Sequence, residues 1–253
     1  MEIKVIAHRG SNREAPQNTL PAFRKAIEAG TDGFETDVHL SADGVPVICH
    51  NYTIDDTSDG SGEIGSYTLG ELKKFDFGAY FSEEFRGTQL PTLDEFLDVA
   101  APSEAEIINI ELKCPSKQGM APLVRKTVEA VRAYGIADRV IVSSFSPAIL
   151  KLCKAAAPEI RTAFLYPTNR PSVCRPVFLN PFFIVRRVKA DYIHPMAANV
   201  TAGLVQAAHL LGVGVNVWTV NDAMTVKRLA AFGVDGIITD CPGKVKELLN
   251  KKK

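Results

Sequence analysis

Residues 107–144 read IINIELKCPSKQGMAPLVRKTVEAVRAYGIADRVIVSS. The runs Ile107–Leu112 and Val140–Ser143 are nearly continuous in apolar residues, as expected of parallel strands buried on both faces. Between them Val124, Thr127, Val128 and Val131 share one helical stripe, and Gly135 supplies the left-handed stop. This is one strand–helix–strand unit, and the pattern recurs in both directions. Further strands are predicted at Lys4–His8, Gly33–Val38, Thr162–Leu165, Asp191–His194, Gly214–Thr219 and Gly236–Thr239, making eight in all. Helical stripes lie at Leu20, Phe23 and Ile27; at Leu204, Ala208 and Leu211 before Gly212; at Val226, Leu229 and Ala230 before Gly233; and at Val245, Leu248 and Leu249. Thr92-Leu-Asp-Glu95 and Thr68-Leu-Gly-Glu71 read as capping boxes. Eight alternating units predict an α/β fold in which the parallel sheet closes into a (β/α)₈ TIM barrel.

The chain has 253 residues, a usual length for one such barrel, so a single domain is expected over 1–253. Two segments exceed the bare repeat. Residues 51–90 hold Gly60, Gly62, Gly65 and a cluster of Phe75, Phe77, Tyr80, Phe81 and Phe85; they predict an insertion subdomain between the second and third strands. Residues 166–190 mix Arg170, Arg175, Arg186, Arg187 and Lys189 with Phe178, Leu179, Phe182, Phe183 and Ile184. Both follow strands, so both belong at the catalytic face of a barrel.

Lys+Arg and Asp+Glu each number 29, for zero net charge, and nothing global attracts nucleic acid. No apolar run approaches the roughly 20 residues that span a bilayer. Five cysteines without a CxxC pair point to reduced thiols rather than disulfides or a thiolate zinc site. Cys49, Cys114 and Cys241 fall beside candidate site residues and read as packing. The start MEIKVIAHRG is too short and too soon charged for a signal peptide, which predicts a cytoplasmic protein.

Polar residues gather at the ends of the apolar strands. His8 and Arg9 end the first. Glu35 and Asp37 lie two apart on the second, so their carboxylates share one face. Glu111 and Lys113 repeat that spacing on the third, and His50 follows a β-like run, PVICH. Three converging carboxylates repel one another unless a cation sits among them, and a hard divalent ion, Mg²⁺ or Ca²⁺, satisfies oxygen ligands. The cluster would still be net negative; Arg9 and Lys113 supply positive charge for a phosphodiester. His8 and His50 are an acid/base pair suited to neutral pH. His39, His194 and His209 read as structural or surface residues, and Asn18-Thr19 as a helix N-cap.

The stretches AHRG, PQNTLPAF, GFETDVHLSADGVPVICHN, IELK, NVWTVND and GVDGIITDCP, in this order along nearly the whole chain, closely resemble the glycerophosphodiester phosphodiesterase family, in particular its short bacterial cytosolic members. The resemblance implies catalytic histidines at His8 and His50, a phosphate-binding arginine at Arg9, metal ligands at Glu35, Asp37 and Glu111, a lysine near the phosphate at Lys113 and an aromatic residue near the substrate at Trp218. It implies a small-molecule glycerophosphodiester substrate, one divalent cation, and sn-glycerol 3-phosphate and an alcohol as products. It also implies that 51–90 caps the alcohol side of the site.

Two positions depart from the family pattern. Gln17 and Asn51 stand where glutamate and aspartate are usual, each removing a negative charge near the site. A rival reading is therefore a barrel that binds glycerophosphodiesters without turnover. A second rival is a lysophospholipase D-like enzyme, because aromatic and basic residues in 166–190 suit peripheral contact with anionic lipid. The same segment also reads as a barrel-wrapping helix with a core or homodimer face.

Overall fold

The computed structural model describes residues 2–166 and 181–250. Eight parallel strands form a closed barrel: β1 (Lys4–His8), β2 (Gly33–Leu40), β4 (Ile107–Leu112), β5 (Val140–Ser144), β6 (Arg161–Tyr166), β7 (Tyr192–Pro195), β8 (Gly214–Val217) and β9 (Gly236–Thr239). β1 pairs with both β2 and β9, which shuts the ring. The expected strands all form, with ends shifted by a residue or two. One strand was not counted in advance: β3 (Pro46–Ile48) runs antiparallel to β2, as the return arm of a hairpin on that strand's overhanging end. It stands outside the parallel ring, so periodicity alone did not enrol it.

The alternation of side chains explains both layers. Phe34 on β2 points outward, where its ring meets Phe23 of α1 (Leu20–Glu28) and Phe96 of α3 (Leu93–Ala100), centroids 6.2 and 6.0 Å away and nearly perpendicular. Its neighbours Glu35 and Asp37 therefore point into the barrel. Ile6, Ile107, Ile141, Ala163 and Ile238 pack together as the apolar floor of the interior. Polar inward residues one pleat further along β1, β2 and β4 sit above that floor, toward the C-terminal mouth.

The outer helices start and stop on local signals. Both capping boxes are present, at Thr92/Glu95 and Thr68/Glu71, the latter opening α2 (Leu69–Leu72). Gly233 ends α8 (Ala223–Phe232) in the left-handed conformation, φ 75°. Gly135 and Gly212 also have positive φ, 66° and 70°, past the ends of α4 (Lys117–Ala133) and α7 (Ala202–Leu210). Among the described residues no helix is long and apolar enough to cross a membrane.

Within residues 51–90, Ile54, Ile64, Leu72, Phe77 and Leu90 form an apolar cluster with Val47 and Cys49. Of the segment 166–190, residues 167–180, including Arg170, Arg175, Phe178 and Leu179, lie outside the described residues. Of the rest, Pro181–Val188 form α6, where Ile184 is buried, Phe182 packs against the apolar core and Phe183 is 47% exposed.

Candidate active site

Strand register brings the acidic residues together. His8 lies opposite Glu35 on the β1–β2 ladder, and Asp37 lies opposite Glu111 on the β2–β4 ladder. Adjacent parallel strands run about 4.8 Å apart, so inward side chains at matched positions touch. Carboxylate oxygens of Glu35, Asp37 and Glu111 all fall within 4.8 Å of one another, and all three residues are buried. His50 arrives by the hairpin. β3 carries the chain back along β2, so that the Cys49 amide donates to the Asp37 carbonyl (3.1 Å) and His50 follows at the level of the carboxylates.

One cavity at the mouth is lined by His8, Arg9, Glu35, His50, Glu111, Lys113 and Trp218, together with Asn109, Phe145, Leu165 and Ile238. Asp37 sits behind this surface, 1% exposed. Its Oδ2 accepts from Asn18 Nδ2 (2.9 Å) and pairs with Arg9 Nε at 3.4 Å; its Oδ1 lies 3.2 Å from Lys113 Nζ. Lys113 also reaches Glu111 Oε1 at 3.1 Å.

The first strand ends abruptly to aim these groups. Arg9 adopts φ 55°, a region rarely occupied outside glycine. The turn is held because Arg9 N donates to the Glu35 carbonyl (2.9 Å) while Asn18 N donates to the Arg9 carbonyl (3.0 Å). A Cβ on the following Gly10 would lie 2.6 Å from the Ala22 carbonyl carbon, so α1 packs against the turn only because residue 10 is glycine.

Charge is unevenly spread among the carboxyls. Burial pushes Glu111 up to about 7, the Asp37 charge adds to this, and Lys113 opposes it. Burial, then the charges of Asp37 and Glu111, raise Glu35 well above the usual carboxylate range. Burial also acts on Asp37, but Lys113, Arg9 and His50 with the Asn18 hydrogen bond outweigh it and hold that carboxyl well below its ordinary value. Burial holds His50 down at about 4, although Asp37 pulls the other way.

Several residues of the site had no assignment from the sequence. His8 Nδ1 is 2.6 Å from Asp240 Oδ1, just past β9, and Asp240 is fixed by Asn12 Nδ2 (2.7 Å) and Asn221 Nδ2 (2.6 Å). Asp240 lies within the GIITDCP stretch, the one signal that pointed to it. Asn18 is not a cap. Thr19 holds the N-cap position of α1, with no side-chain cap bond, and its hydroxyl donates to the Pro16 carbonyl. Asn18, with φ 57° and buried, instead ties Asp37 to Thr36, whose hydroxyl donates to Asn18 Oδ1 (3.0 Å). Phe145 stands edge-on to Trp218, centroids 5.9 Å apart, and the Trp218 indole N–H donates to the His194 carbonyl (2.6 Å).

Both departures from the family pattern have partners. Gln17 Oε1 accepts from Arg9 Nη1 (2.5 Å). Asn51 Oδ1 lies 2.6 Å from His50 Nδ1, and Asn51 Nδ2 donates to Asp56 Oδ2 (2.8 Å). The other histidines lie outside the cavity lining: His39 and His194 are buried, and His209 pairs with Asp235 at 2.9 Å.

The model of the Glycerophosphoryl diester phosphodiesterase family matches residues 8–244. The chain is 36% identical over 252 residues to a glycerophosphodiester phosphodiesterase of Caldanaerobacter subterraneus subsp. tengcongensis, covering 99% of each chain. It is 33% identical over 252 residues to one from Bacillus altitudinis, again covering 99% of each. The structure of an Oleispira antarctica phosphodiesterase in complex with the product sn-glycerol-3-phosphate superposes with a TM-score of 0.89 at 29% identity, covering 98% of this chain and 96% of that one. The match over 8–244 and full-length identity above 30% show that the chain belongs to the glycerophosphoryl diester phosphodiesterase family.

Proposed function

We propose that this cavity hydrolyses glycerophosphodiesters to sn-glycerol 3-phosphate and a free alcohol, with His8 and His50 as acid and base and with Glu35, Asp37 and Glu111 holding one divalent cation. By family the chain is a glycerophosphodiester phosphodiesterase, a phosphoric diester hydrolase. The product held by the Oleispira antarctica relative supports sn-glycerol 3-phosphate as the product here. One observation carries the assignment of roles: three buried carboxylates with oxygens within 4.8 Å of one another adjoin a cavity lined by two imidazoles, a guanidinium and an ammonium.

The residues fit a hard cation. The donors are all oxygen and converge from three buried side chains, with Lys113 Nζ, 3.2 Å from Asp37 Oδ1 and 3.1 Å from Glu111 Oε1, at their edge. Three buried carboxyls, two of them pushed upward, ionise together only beside compensating positive charge. This chemistry suits Mg²⁺ or Ca²⁺. When bound, such an ion polarises phosphoryl oxygens and neutralises charge developing on them.

Arg9 and Lys113 bring fixed positive charge to the same phosphoryl group, and a guanidinium can grip two of its oxygens. With Nδ1 of both histidines engaged, Nε2 is the nitrogen each can offer substrate, that of His8 lying 3.9 Å from Glu35 Oε2. One imidazole removes a proton from the nucleophile, which is either the glycerol 2-hydroxyl or water. The other protonates the leaving alcohol. Trp218 and Phe145 supply an apolar wall for the glycerol carbons.

The test is turnover of glycerophosphocholine with and without EDTA. Activity abolished by the chelator and restored by Mg²⁺ or Ca²⁺ is expected. Undiminished activity in EDTA would overturn the cation's part, and absence of turnover on any glycerophosphodiester would leave a binding barrel instead.

A further inference from the structure

We propose that Asp56 is a positioning residue for His50, acting through the side-chain amide of Asn51. The inference rests on His50 being one of the two acid/base groups.

The argument starts from what each group can do. A carboxylate only accepts hydrogen bonds, whereas the two ends of an amide differ: nitrogen donates and oxygen accepts. Asp56 Oδ2 lies 2.8 Å from Asn51 Nδ2, so the nitrogen end faces Asp56. The oxygen end is thereby turned to His50 Nδ1, at 2.6 Å. An amide oxygen cannot donate, so Nδ1 must carry the proton. Neutral His50 then presents a bare Nε2, the form a base requires, and the imidazolium presents an Nε2 proton, the form an acid requires.

Without Asp56, no other side-chain hydrogen bond of Asn51 among the described residues distinguishes the two orientations of the amide. Flipped, Asn51 would donate to Nδ1 and shift the neutral imidazole to the tautomer with its proton on Nε2. That form can neither accept a proton at Nε2 nor remove one there.

The loop is built to keep Asp56 in place although its side chain is exposed. Buried Ile54 and Thr57 flank it, and Ile54 N donates to the Gly62 carbonyl (3.0 Å). The adjacent Asp55 turns elsewhere, its Oδ2 accepting from Gly62 N at 3.2 Å. A carboxylate at the far end of the chain also polarises the amide and strengthens its oxygen as an acceptor. His8 has its carboxylate, Asp240, in direct contact; His50 has its own one amide removed.

The test combines kinetics with ¹⁵N NMR of histidine-labelled protein, which reads the His50 tautomer. Asp56→Ala, and Asp56→Asn as a second variant, are expected to lower kcat about tenfold with KM unchanged and to move the His50 signals from the Nδ1–H form toward a mixture. Asn51→Asp alone sets two carboxylates against each other and should also be impaired. The double variant Asn51→Asp with Asp56→Ala puts an acceptor-only group directly on Nδ1 and should recover both rate and tautomer. An unchanged tautomer in both Asp56 variants, or a double variant no better than Asp56→Ala, would overturn the proposal. A changed tautomer with full activity would uphold the positioning and remove His50 from the reaction.

Discussion

Asp240 and His8, 232 residues apart in the chain, meet as a hydrogen-bonded pair 2.6 Å long because β9 and β1 are neighbours at the seam where the barrel closes. Burial lowers the pKa of His8, and the bond to Asp240 works against that. Asp240 itself is held well below its usual range: its burial is outweighed by its bond to His8, the His8 charge, and the amides of Asn12 and Asn221. Removing its charge while keeping its shape leaves His8 with a poorer acceptor and a weaker counter-charge. Asp240→Asn is expected to lower kcat by about 10–100-fold, as for other groups that orient a reactive side chain. The melting temperature and cation affinity should be little changed. Full activity in this variant would mean that the pair is structural.

Glu111→Gln tests the cation site. The substitution keeps the length of the side chain and removes one of three converging charges, so tight binding of Mg²⁺ or Ca²⁺ should be lost. Titration calorimetry checks it directly. Affinity equal to wild type would count decisively against the carboxylate assignment.

His8→Ala and His50→Ala should each lower kcat by about 10²–10⁴-fold, the range for a lost general acid or base. Fold and cation content should survive, because both rings line the cavity rather than fill the core. A His50→Ala enzyme with near-full rate would leave the chemistry to His8 and its carboxylate.

Phe182 and Phe183 separate two uses of α6. Phe182 packs against the core, so Phe182→Ser should lower the melting temperature and affect all substrates together. Phe183 is 47% exposed, so Phe183→Ser should spare stability and glycerophosphocholine turnover. If this helix meets lipid, the second variant should lose activity on lysophospholipid alone. Equal activity on both substrates would dismiss lipid contact through Phe183.

The residues legible in advance are those whose placement follows from strand periodicity. Glu35 and Asp37 alternate with Phe34, Thr36 and Val38, and Glu111 with Ile110 and Leu112, so an inward direction could be read from the chain itself. Asp240, Asn18 and Asp56 could not be read in that way. Asp240 acts across the barrel seam, and its role depends on a register that no local pattern encodes. Asn18 before Thr19 and a helical stripe has the local look of a cap; its turn toward Asp37 depends on a left-handed backbone set by the bond to Arg9. Asp56 lies in an irregular loop beside another aspartate, and only the folded loop shows which of the two faces Asn51.

His194 gives a pH prediction of definite sign. It is fully buried, and burial alone holds its pKa down at about 3. Its Nε2 accepts from Asn216 Nδ2 at 3.1 Å, and among the described residues its Nδ1 has no hydrogen-bond partner and no group favours the charged ring. In the unfolded chain the same group titrates near its ordinary value of about 6.5. Between those values the unfolded state binds a proton that the folded state refuses, so stability is intact above about 6.5 and is lost as pH falls toward 3. His194 should account for about 1.4 kcal/mol of that loss per pH unit below 6.5, or about 2 kcal/mol between pH 7 and pH 5. Asp37 and Asp240, whose pKa values are depressed, lose their contributions only below the carboxylate range, outside this window. His50 adds a loss of the same sign, and Glu111 acts oppositely as it deprotonates up to about 7, so wild type alone does not isolate His194. The difference from His194→Gln does, since Gln accepts from Asn216 without titrating. Urea unfolding at pH 7 and pH 5 should show a smaller drop for the variant than for wild type, whatever constant penalty the substitution carries at pH 7. An equal drop in both proteins would show that His194 is protonated in the folded state or that its site opens to water.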